Sequence, residues 1–428
     1  MDYQALSYRA VFGERTLFAD IRKRQRGTRL KITAQSHEHS RWWDPVHLDE
    51  SDNCSSLETL IGSALNICCP TLPSLRCFPE GSIPRHSSQK PTRFTGIVCN
   101  DVYDESPYAV EVAKSIKLSH VLVQLPGAMS LDVVKRLTAL RGHPIDMHNE
   151  AAMYLLARAV SHSHKVLLTG EGADEIFLGY SRIFRLPFDL HRLALLAALP
   201  DVIGGPARRY VGLPKFKPSE FEFFLARYTY FPQAEKLVLA TSAWRKEIVH
   251  DAGPIDLMNN AYHSGGATPV ERIRLFFVRR HLPALLEMVD NTTMAAGVES
   301  RVPFADHRIV ALALRMSFSE YLRWKHAFAP FQAACAPIEK FSEALDVSKA
   351  ALRGFYRDRL PPSVIRRKKL GFPLPLGKWA TDQSSEPFRD LSSKALRRSL
   401  IISMLTLSGD GMRVALKWRT IHSENNSG

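Results

Sequence analysis

Short apolar blocks alternate with blocks of helical spacing in the stretch from residue 96 to residue 175. Apolar runs of strand length occupy residues 96–101, 120–125 and 166–169. Patterns typical of amphipathic helices lie between them, at residues 105–118, 131–140 and 150–164. Short apolar strands that alternate with helices predict a parallel sheet covered on both faces. We therefore predict an α/β fold for this part of the chain.

The flanking regions carry weaker patterns. Residues 15–21 and 28–33 alternate in the manner of a strand pair, and residues 55–67 have helical spacing. Residues 66–95 follow neither period, and a structureless run of this length inside a compact domain is unusual. After residue 180 helical patterns dominate, and no strand is predicted there.

Charge and composition narrow the class of protein. With 57 basic and 43 acidic residues, the net charge of +14 suggests an acidic partner such as a nucleotide, a nucleic acid or an acidic carrier protein. Basic clusters at residues 22–26 and 366–369 lack interleaved aromatic residues, which disfavours dedicated binding of nucleic acid. The six cysteines include no Cys-x-x-Cys pair, so neither structural zinc nor a disulfide framework is expected.

Targeting signals are absent from the sequence as it stands. No apolar run is long enough to span a membrane, and no basic start with an apolar core opens the chain. We therefore expect a cytoplasmic protein without a membrane partner.

One turn is the most informative part of the sequence. An apolar strand ends at Gly170, Glu171 and Gly172, and Asp174 and Glu175 follow as a helical pattern begins. Glycines let the backbone approach a ligand closely, and a helix start is a place where anions bind. Acidic residues here would therefore have to hold a cation, take a proton or cap the helix. The simpler alternative is a strand-to-helix turn in which Asp174 is the N-cap.

Further blocks accompany this turn in a fixed order. They are residues 104–109, 143–145, 280–283, 290–307 (which includes Glu-Ser-Arg-Val-Pro-Phe-Ala-Asp-His) and 367–372 (Arg-Lys-Lys-Leu-Gly-Phe). Together with Gly-Glu-Gly-Ala-Asp-Glu of the turn, they resemble the synthetase domain of glutamine-hydrolysing asparagine synthetases. Relatives of these enzymes include β-lactam synthetases, lasso-peptide cyclases and natural-product amidotransferases. The resemblance extends over roughly residues 55–380.

The resemblance implies a fold and a reaction. The fold is a parallel sheet of the ATP-pyrophosphatase type, also called adenine nucleotide α-hydrolase-like, with a mainly helical C-terminal subdomain. In the reaction, a carboxylate attacks the α-phosphorus of ATP to give an acyl-adenylate and pyrophosphate, and ammonia or an amine then displaces AMP. ATP and Mg²⁺ are the implied cofactors, because magnesium and a lysine would offset the charge of the phosphates.

The resemblance also implies a role for individual residues. Glu171 matches the acid beside the reacting carbonyl and would accept the amine proton. Asp174 matches the magnesium-binding aspartate, and Gly170 and Gly172 would lie against the nucleotide. Lys369 matches the lysine that contacts the phosphates and the developing oxyanion; the alternative is a solvated lysine in a basic run.

Other polar residues of the blocks are expected to be structural. We predict that Asp290, Glu299, Arg301 and Asp306 form a buried polar framework. The implied substrates are a small-molecule or peptide carboxylate, with aspartate as the default, and ammonia or an amine. A separate glutaminase could supply the ammonia.

The N-terminus departs from the family pattern. Glutamine-dependent members begin with a cysteine directly after the initiator, whereas Asp2 follows Met1 here. Residues 10–45 resemble only the last strands of the glutaminase domain. The chain as written is therefore not expected to hydrolyse glutamine. Ammonia from solution or another subunit, a different amine substrate, and a truncated start are the alternatives.

The resemblance divides the chain into three predicted parts. Residues 1–50 are expected to be a remnant of the glutaminase domain with a linker. Residues 51–185 would form the ATP-pyrophosphatase core, and residues 186–428 the helical part of the synthetase domain.

The family's pyrophosphate loop, Ser-Gly-Gly-hydrophobic-Asp-Ser, is missing from its expected place. Residues 78–84 read Phe-Pro-Glu-Gly-Ser-Ile-Pro instead, and prolines cannot donate backbone N–H groups to phosphate. Codons for these residues, read from the third base, can encode Ser-Gly-Gly-Leu-Asp-Ser. We therefore hypothesise two compensating frameshifts that affect residues 66–95. The other interpretation is a degenerate, non-catalytic family member that acts as a binding or scaffolding subunit.

Overall fold

The structure is a computed structural model of the chain. It describes residues 14, 16, 18, 20–45, 56–68, 92–98, 104–126, 131–142, 145, 147, 149–215, 218–229, 245 and 253–367. Lys369 and the predicted frameshift region between residues 69 and 91 lie outside these residues, so the predictions made for them stay predictions.

The N-terminal strand pair forms locally. Strand β1 (Thr28–Ile32) pairs antiparallel with β2 (His37–Arg41). In the turn between them, the Thr33 N–H donates to the Ser36 carbonyl at 2.8 Å. The described residues of the stretch 15–21 are not in a strand, so the partner predicted for β1 is wrong. A short connection costs less closure entropy than a distant one, which favours the local hairpin.

The predicted alternation of helices and strands is confirmed upstream of the turn. The elements are α1 (Leu57–Cys68), β3 (Thr92–Val98), α2 (Ser106–Ser115), β4 (Ser119–Leu125), α3 (Leu131–Arg141) and α4 (Glu150–Ser161). Strands β3 and β4 are parallel, and α2 is the crossover between them. Ala109, Val112 and Ala113 are the buried residues of α2. Their spacing places them on one face of the helix.

A strand that the sequence did not predict completes the turn region. Strand β5 (Val166–Leu168) pairs in parallel with β6 (Glu299–Arg301). Strand β6 has three residues, two of them charged, and so lacks the apolar alternation by which strands are recognised. Among the described residues the strands form two-stranded sheets, and β3–β4 and β5–β6 are the parallel ones. The fold class is therefore mixed α/β, with short parallel sheets and many helices.

Helices dominate the chain after the turn, as predicted. They are α5 (Ala173–Ile176), α6 (Ser181–Phe184), α7 (Leu186–Ala197), α8 (Asp201–Tyr210), α9 (Glu220–Tyr228), α10 (Gly253–His263), α11 (Pro269–Phe276), α12 (Leu282–Met294), α13 (His307–Arg315), α14 (Phe318–Tyr321), α15 (Ala329–Ala334), α16 (Ile338–Phe341), α17 (Ala350–Phe355) and α18 (Pro362–Arg366). A π-helical segment, Phe277–His281, joins α11 to α12, and a 3₁₀ turn spans Pro303–Ala305. A small antiparallel pair is formed by β7 (Arg323–Trp324) and β8 (Asp346–Val347).

The largest core lies among these helices and is rich in aromatic residues. Phe224 is fully buried and stacks against Tyr262 with their ring centroids 4.7 Å apart. Each such side chain contributes roughly 1.5–3 kcal/mol through burial. Ile176 and Phe177 belong to the same core, so the turn after β5 is anchored to it. In the described part of the chain, no helix is both long and apolar enough to cross a bilayer.

Candidate active site

The turn predicted from the sequence lies between β5 and α5. Thr169, directly after β5, donates its N–H to the Arg301 carbonyl at 3.0 Å, which continues the pairing with β6. Gly172 has a φ of +85° and occupies the N-cap of α5. This conformation is strained for any residue with a Cβ, so a glycine is required here. Gly170 is exposed, and a side chain there would meet only open space.

The three acids of the turn occupy different environments. Glu171 is half-buried, the Asp174 side chain is 27% exposed, and the Glu175 side chain is 1% exposed. Because Gly172 holds the N-cap position, the interpretation of Asp174 as the N-cap is wrong. Glu171 and Asp174 thus remain within reach of a ligand, whereas Glu175 points into the protein.

Glu175 is held by a buried polar network. The Tyr180 hydroxyl donates to Glu175 Oε1 at 2.5 Å, and His281 Nε2 lies 3.6 Å from the same oxygen. On its other side, His281 Nδ1 is 3.0 Å from the Tyr228 hydroxyl. Burial raises the pKa of Glu175 to about 7, with the charges of Asp174 and Glu171 acting in the same direction and the Tyr180 hydrogen bond opposing them. The network links the turn to the π-helical segment.

Asp174 is paired with a lysine that the sequence did not identify. Lys349 Nζ lies 2.9 Å from Asp174 Oδ1, and both side chains are partly exposed, at 22% and 27%. Gly179 makes the pair possible, because a Cβ at this position would lie 1.6 Å from Asp174 Oδ1 and 2.6 Å from Lys349 Cε. No motif or period in the sequence marks Lys349 as a partner of the turn.

The backbone of Lys349 adopts an unusual conformation. Its φ and ψ are 51° and 37°, in the left-handed region, at the residue before α17. For a residue other than glycine this conformation costs on the order of 1–2 kcal/mol. The preceding Ser348 is fully buried, and its hydroxyl donates to Glu343 Oε1 at 2.7 Å. The surrounding contacts therefore offset the strain and fix where the lysine side chain starts.

The described chain ends two residues before Lys369. Arg367 forms an ion pair with Glu105 at 2.9 Å, and its guanidinium lies over the Tyr108 ring at 5.0 Å. These contacts attach the approach to Lys369 to the start of α2. The position of Lys369 itself lies outside the described residues.

The expected buried framework is only partly present. Asp290 is exposed, and Glu299 pairs with Arg301 at 2.9 Å with its side chain 54% exposed. The prediction is therefore wrong for Asp290 and Glu299, since a helical or strand position alone does not fix which side faces the core. Asp306 is mostly buried, pairs with Arg308 at 2.8 Å and caps α13 through the Arg308 N–H.

The carboxylates can be compared with the needs of a divalent cation. Within the described ranges, no group of three or more His, Cys, Asp or Glu side chains could enclose a metal ion. Mg²⁺ is commonly bound by one or two carboxylates together with waters and substrate phosphates. Asp174 is partly exposed and already holds a cation, the Lys349 ammonium. One partly exposed carboxylate of this kind is compatible with a divalent cation that brings its other ligands with it.

A mixed α/β protein with an acidic turn after a parallel strand is the class that the fold and the site define. Comparison with known families is more specific, because the model of the family named asparagine synthase matches residues 82–407. The chain belongs to the asparagine synthase family. The match begins downstream of α1 and of most of the stretch in which the pyrophosphate loop is expected.

Curated relatives carry the same family name. A provisionally named glutamine-hydrolysing asparagine synthetase from Mycobacterium bovis is 26% identical over 310 residues, which is 69% of this chain and 42% of the relative. The corresponding protein of Mycobacterium tuberculosis has the same values. Glutamine-hydrolysing asparagine synthetase 1 of Bacillus subtilis is 23% identical over 330 residues, which is 67% of this chain and 47% of the relative. The chain thus spans less than half the length of these relatives.

Proposed function

We propose that the chain catalyses ATP-dependent amide formation. A carboxylate oxygen attacks the α-phosphorus of ATP, the bond to the leaving pyrophosphate breaks, and an acyl-adenylate results. Ammonia or an amine then attacks the acyl carbon, loses a proton and displaces AMP. The observation that supports this proposal best is the pairing of Lys349 with Asp174, because Asp174 belongs to the same turn after a parallel strand as Glu171.

Each residue of the turn has a proposed role. Glu171 is half-buried and accepts the proton of the attacking amine. Asp174 holds the magnesium ion, which offsets the charge of the phosphates when bound. Gly170 leaves open space in which the nucleotide approaches the backbone. Gly172 occupies the N-cap of α5, the helix in which Asp174 is partly exposed and Glu175 is buried.

Two lysines supply positive charge in this proposal. Lys349 lies 2.9 Å from Asp174, which supports a role for its ammonium in offsetting the charge of a phosphate oxygen near the metal ligand. Lys369 contacts the phosphates and the oxyanion of the second step, as the resemblance implies. A positive charge next to the transferred group stabilises the transition state more strongly in a partly buried site than in water.

The larger architecture is also part of the proposal. We infer that β3–β4 and β5–β6 belong to one sheet of the ATP-pyrophosphatase type, with residues 186–428 as the helical part of the synthetase domain. Residues 1–50 would be the remnant of a glutaminase domain. Aspartate is the default carboxylate, and ammonia comes from solution or from a separate glutaminase.

The proposal is tested by measuring pyrophosphate release from MgATP with aspartate and ammonium chloride. We expect release that depends on both aspartate and ATP, and a large loss in Glu171→Gln with the thermal midpoint unchanged. A suitable control is Glu111→Gln on α2, whose side chain accepts a hydrogen bond only from the Ser363 hydroxyl among its described contacts. Pyrophosphate release by Glu171→Gln equal to that of the wild type would contradict the role of this residue.

One observation favours the second candidate, a non-catalytic binding or scaffolding subunit. Residues 78–84 lack the loop that would cradle the phosphates. Sequencing the gene decides whether a shifted frame encodes Ser-Gly-Gly-Leu-Asp-Ser, and the restored protein can be assayed beside this one. Absence of pyrophosphate release at millimolar ammonia from the folded chain as written would support the second candidate.

A further inference from the structure

Arg353 connects two segments that are separate in the sequence. Its side chain starts from α17 and turns back, so that Nε donates to the Ser348 carbonyl at 3.0 Å. Nη1 donates to the Ile365 carbonyl at 2.5 Å and to the Arg367 carbonyl at 3.2 Å. One guanidinium therefore bonds the backbone before α17 and the backbone at the end of α18.

Both segments bear on the candidate active site. The Ser348 carbonyl belongs to the peptide that joins Ser348 to Lys349, so fixing it restrains the left-handed backbone of Lys349. A lysine side chain is flexible, and the place of its ammonium depends on where its Cα is held. The Arg367 carbonyl lies at the end of the segment that continues to Lys369.

We propose that Arg353 is a positioning residue, which holds the Lys349 backbone against the backbone of residues 365–367 and thereby keeps Lys349 on Asp174. This inference rests on the proposed function for its consequence, the binding of MgATP. Its structural content, the dependence of the Asp174–Lys349 pair on Arg353, does not.

The chemistry of the contacts explains why arginine serves here. The guanidinium presents its N–H groups in a fixed planar fork, so three carbonyls on two segments can be bonded at once. Within the described residues, the hydrogen-bond acceptors of Arg353 are carbonyl oxygens rather than carboxylates. The Arg353 side chain thus holds two backbone segments together through hydrogen bonds. A lysine at this position would keep the charge but could not donate to the three carbonyls in the same planar arrangement.

The chain offers a matched control in Arg359. This residue is also half-buried, and its guanidinium also donates to a backbone carbonyl, that of Phe355. Its second contact is with Glu58 on α1, at 2.9 Å, and not with either lysine segment. Removal of Arg359 therefore removes a carbonyl hydrogen bond and an ion pair, neither of which involves residues 348–349 or 365–367.

The first test measures the chemical reactivity of Lys349 in the full chain. An amine-acetylating reagent is added at limiting amounts, and acetylation of the peptide that contains Lys349 is followed by mass spectrometry. We expect acetylation several-fold faster in Arg353→Gln and Arg353→Lys than in the wild type, because the ammonium leaves Asp174. Arg359→Gln should react at the wild-type rate. Equal Lys349 reactivity in all four proteins would overturn the inference, whatever the activity.

The second test measures the KM for MgATP and the KM for the carboxylate. We expect Arg353→Lys to raise the KM for MgATP about tenfold, the range seen when a residue that orients a ligand-binding group is lost, with less change in the KM for the carboxylate. In a Lys349→Met background the same substitution should have little further effect, because residues that act through one another are not additive. An equal, additive effect in that background would overturn the inference.

The two tests separate the two proposals. Faster acetylation in the Arg353 variants with no MgATP turnover by the wild type would overturn the proposed function and support the positioning role. Normal MgATP turnover by the wild type, with Lys349 reactivity unchanged in the Arg353 variants, would support the proposed function and overturn the positioning role. Thermal unfolding of each variant shows whether it is folded. If Arg353→Gln does not fold, both tests are carried out on Arg353→Lys, which keeps the positive charge.

Discussion

Two ion pairs start from neighbouring positions of one segment and differ in their surroundings. Asp346 pairs with Arg185 at 3.3 Å, with side chains 0% and 5% exposed, and Arg185 also lies 3.7 Å from the centre of the Trp324 ring. Lys349 pairs with Asp174 at 2.9 Å, with both side chains more than a fifth exposed. The Asp346–Arg185 pair is therefore surrounded by protein, whereas the Asp174–Lys349 pair is still partly in contact with solvent.

This difference in exposure separates structural from functional roles. A buried pair pays a large desolvation cost, and removal of one partner leaves an uncompensated charge. A partly exposed pair contributes little to stability, because water screens and replaces either partner. The Asp174–Lys349 pair can therefore open at little cost, as the proposed function requires, while the Asp346–Arg185 pair fixes β8 and the residues that follow it.

The largest expected effect is the loss of the buried pair. Asp346→Ala should lower the free energy of unfolding by about 3–5 kcal/mol, because Arg185 is left buried and unpaired. Burial already lowers the pKa of the Arg185 guanidinium, which shows how unfavourable its charge is there. Urea unfolding measures the change. The control is Glu58→Ala, which removes a carboxylate 56% exposed from its pair with Arg359, itself 24% exposed, and should cost less than about 1 kcal/mol. Equal losses in the two variants would remove the distinction.

The buried acid Glu175, which lies 3.6 Å from His281 Nε2, sharpens the comparison. Glu175 takes its hydrogen bond from a phenol, and burial raises its pKa to about 7, above the ordinary value of 4.5. The folded protein therefore holds this proton more tightly than the unfolded chain does. Its contribution to stability is present below pH 4.5 and is lost as the pH rises to about 7, a change of about 3 kcal/mol at most.

Glu175→Gln tests this sign directly. The variant cannot lose a proton, so the difference in unfolding free energy between variant and wild type should grow in favour of the variant from pH 5 to pH 8. Urea unfolding at each pH gives the difference. A difference that does not vary with pH would show that Glu175 keeps an ordinary pKa.

Breaking the partly exposed Asp174–Lys349 pair should affect activity strongly and stability only slightly. Asp174→Asn should reduce pyrophosphate release on the order of 100-fold, since a magnesium ion supplies several kcal/mol of charge stabilisation. Its unfolding free energy should change by less than about 1 kcal/mol, as for other partly exposed pairs. Pyrophosphate release and urea unfolding of the same preparation measure both. The control is Glu299→Gln, which breaks the exposed pair with Arg301 and should change neither pyrophosphate release nor the free energy of unfolding. A loss of stability in Asp174→Asn as large as that in Asp346→Ala would contradict the comparison.

The sequence predicted the parts of the site that depend on neighbouring residues. The glycines and acids of residues 170–175 stand between an apolar run and a helical pattern, and the structure has a strand, a turn and a helix in that order. Strand β6 could not be predicted in this way, because its three residues are held by pairing with β5 rather than by an apolar period of their own. The prediction that Asp290 and Glu299 are buried was wrong for the same reason, since burial depends on what packs against a residue.

By itself, the sequence determined the α/β alternation, the acidic turn and the family, because each of these is recorded in residues close together or in blocks of fixed order. Only the tertiary structure decided that Lys349 is the partner of Asp174, that Gly179 leaves room for the pair, and that Arg353 holds the lysine segment. These residues meet because the helices after the turn pack around one aromatic core. The geometry of that packing depends on the shapes of many side chains at once, and no local pattern records it.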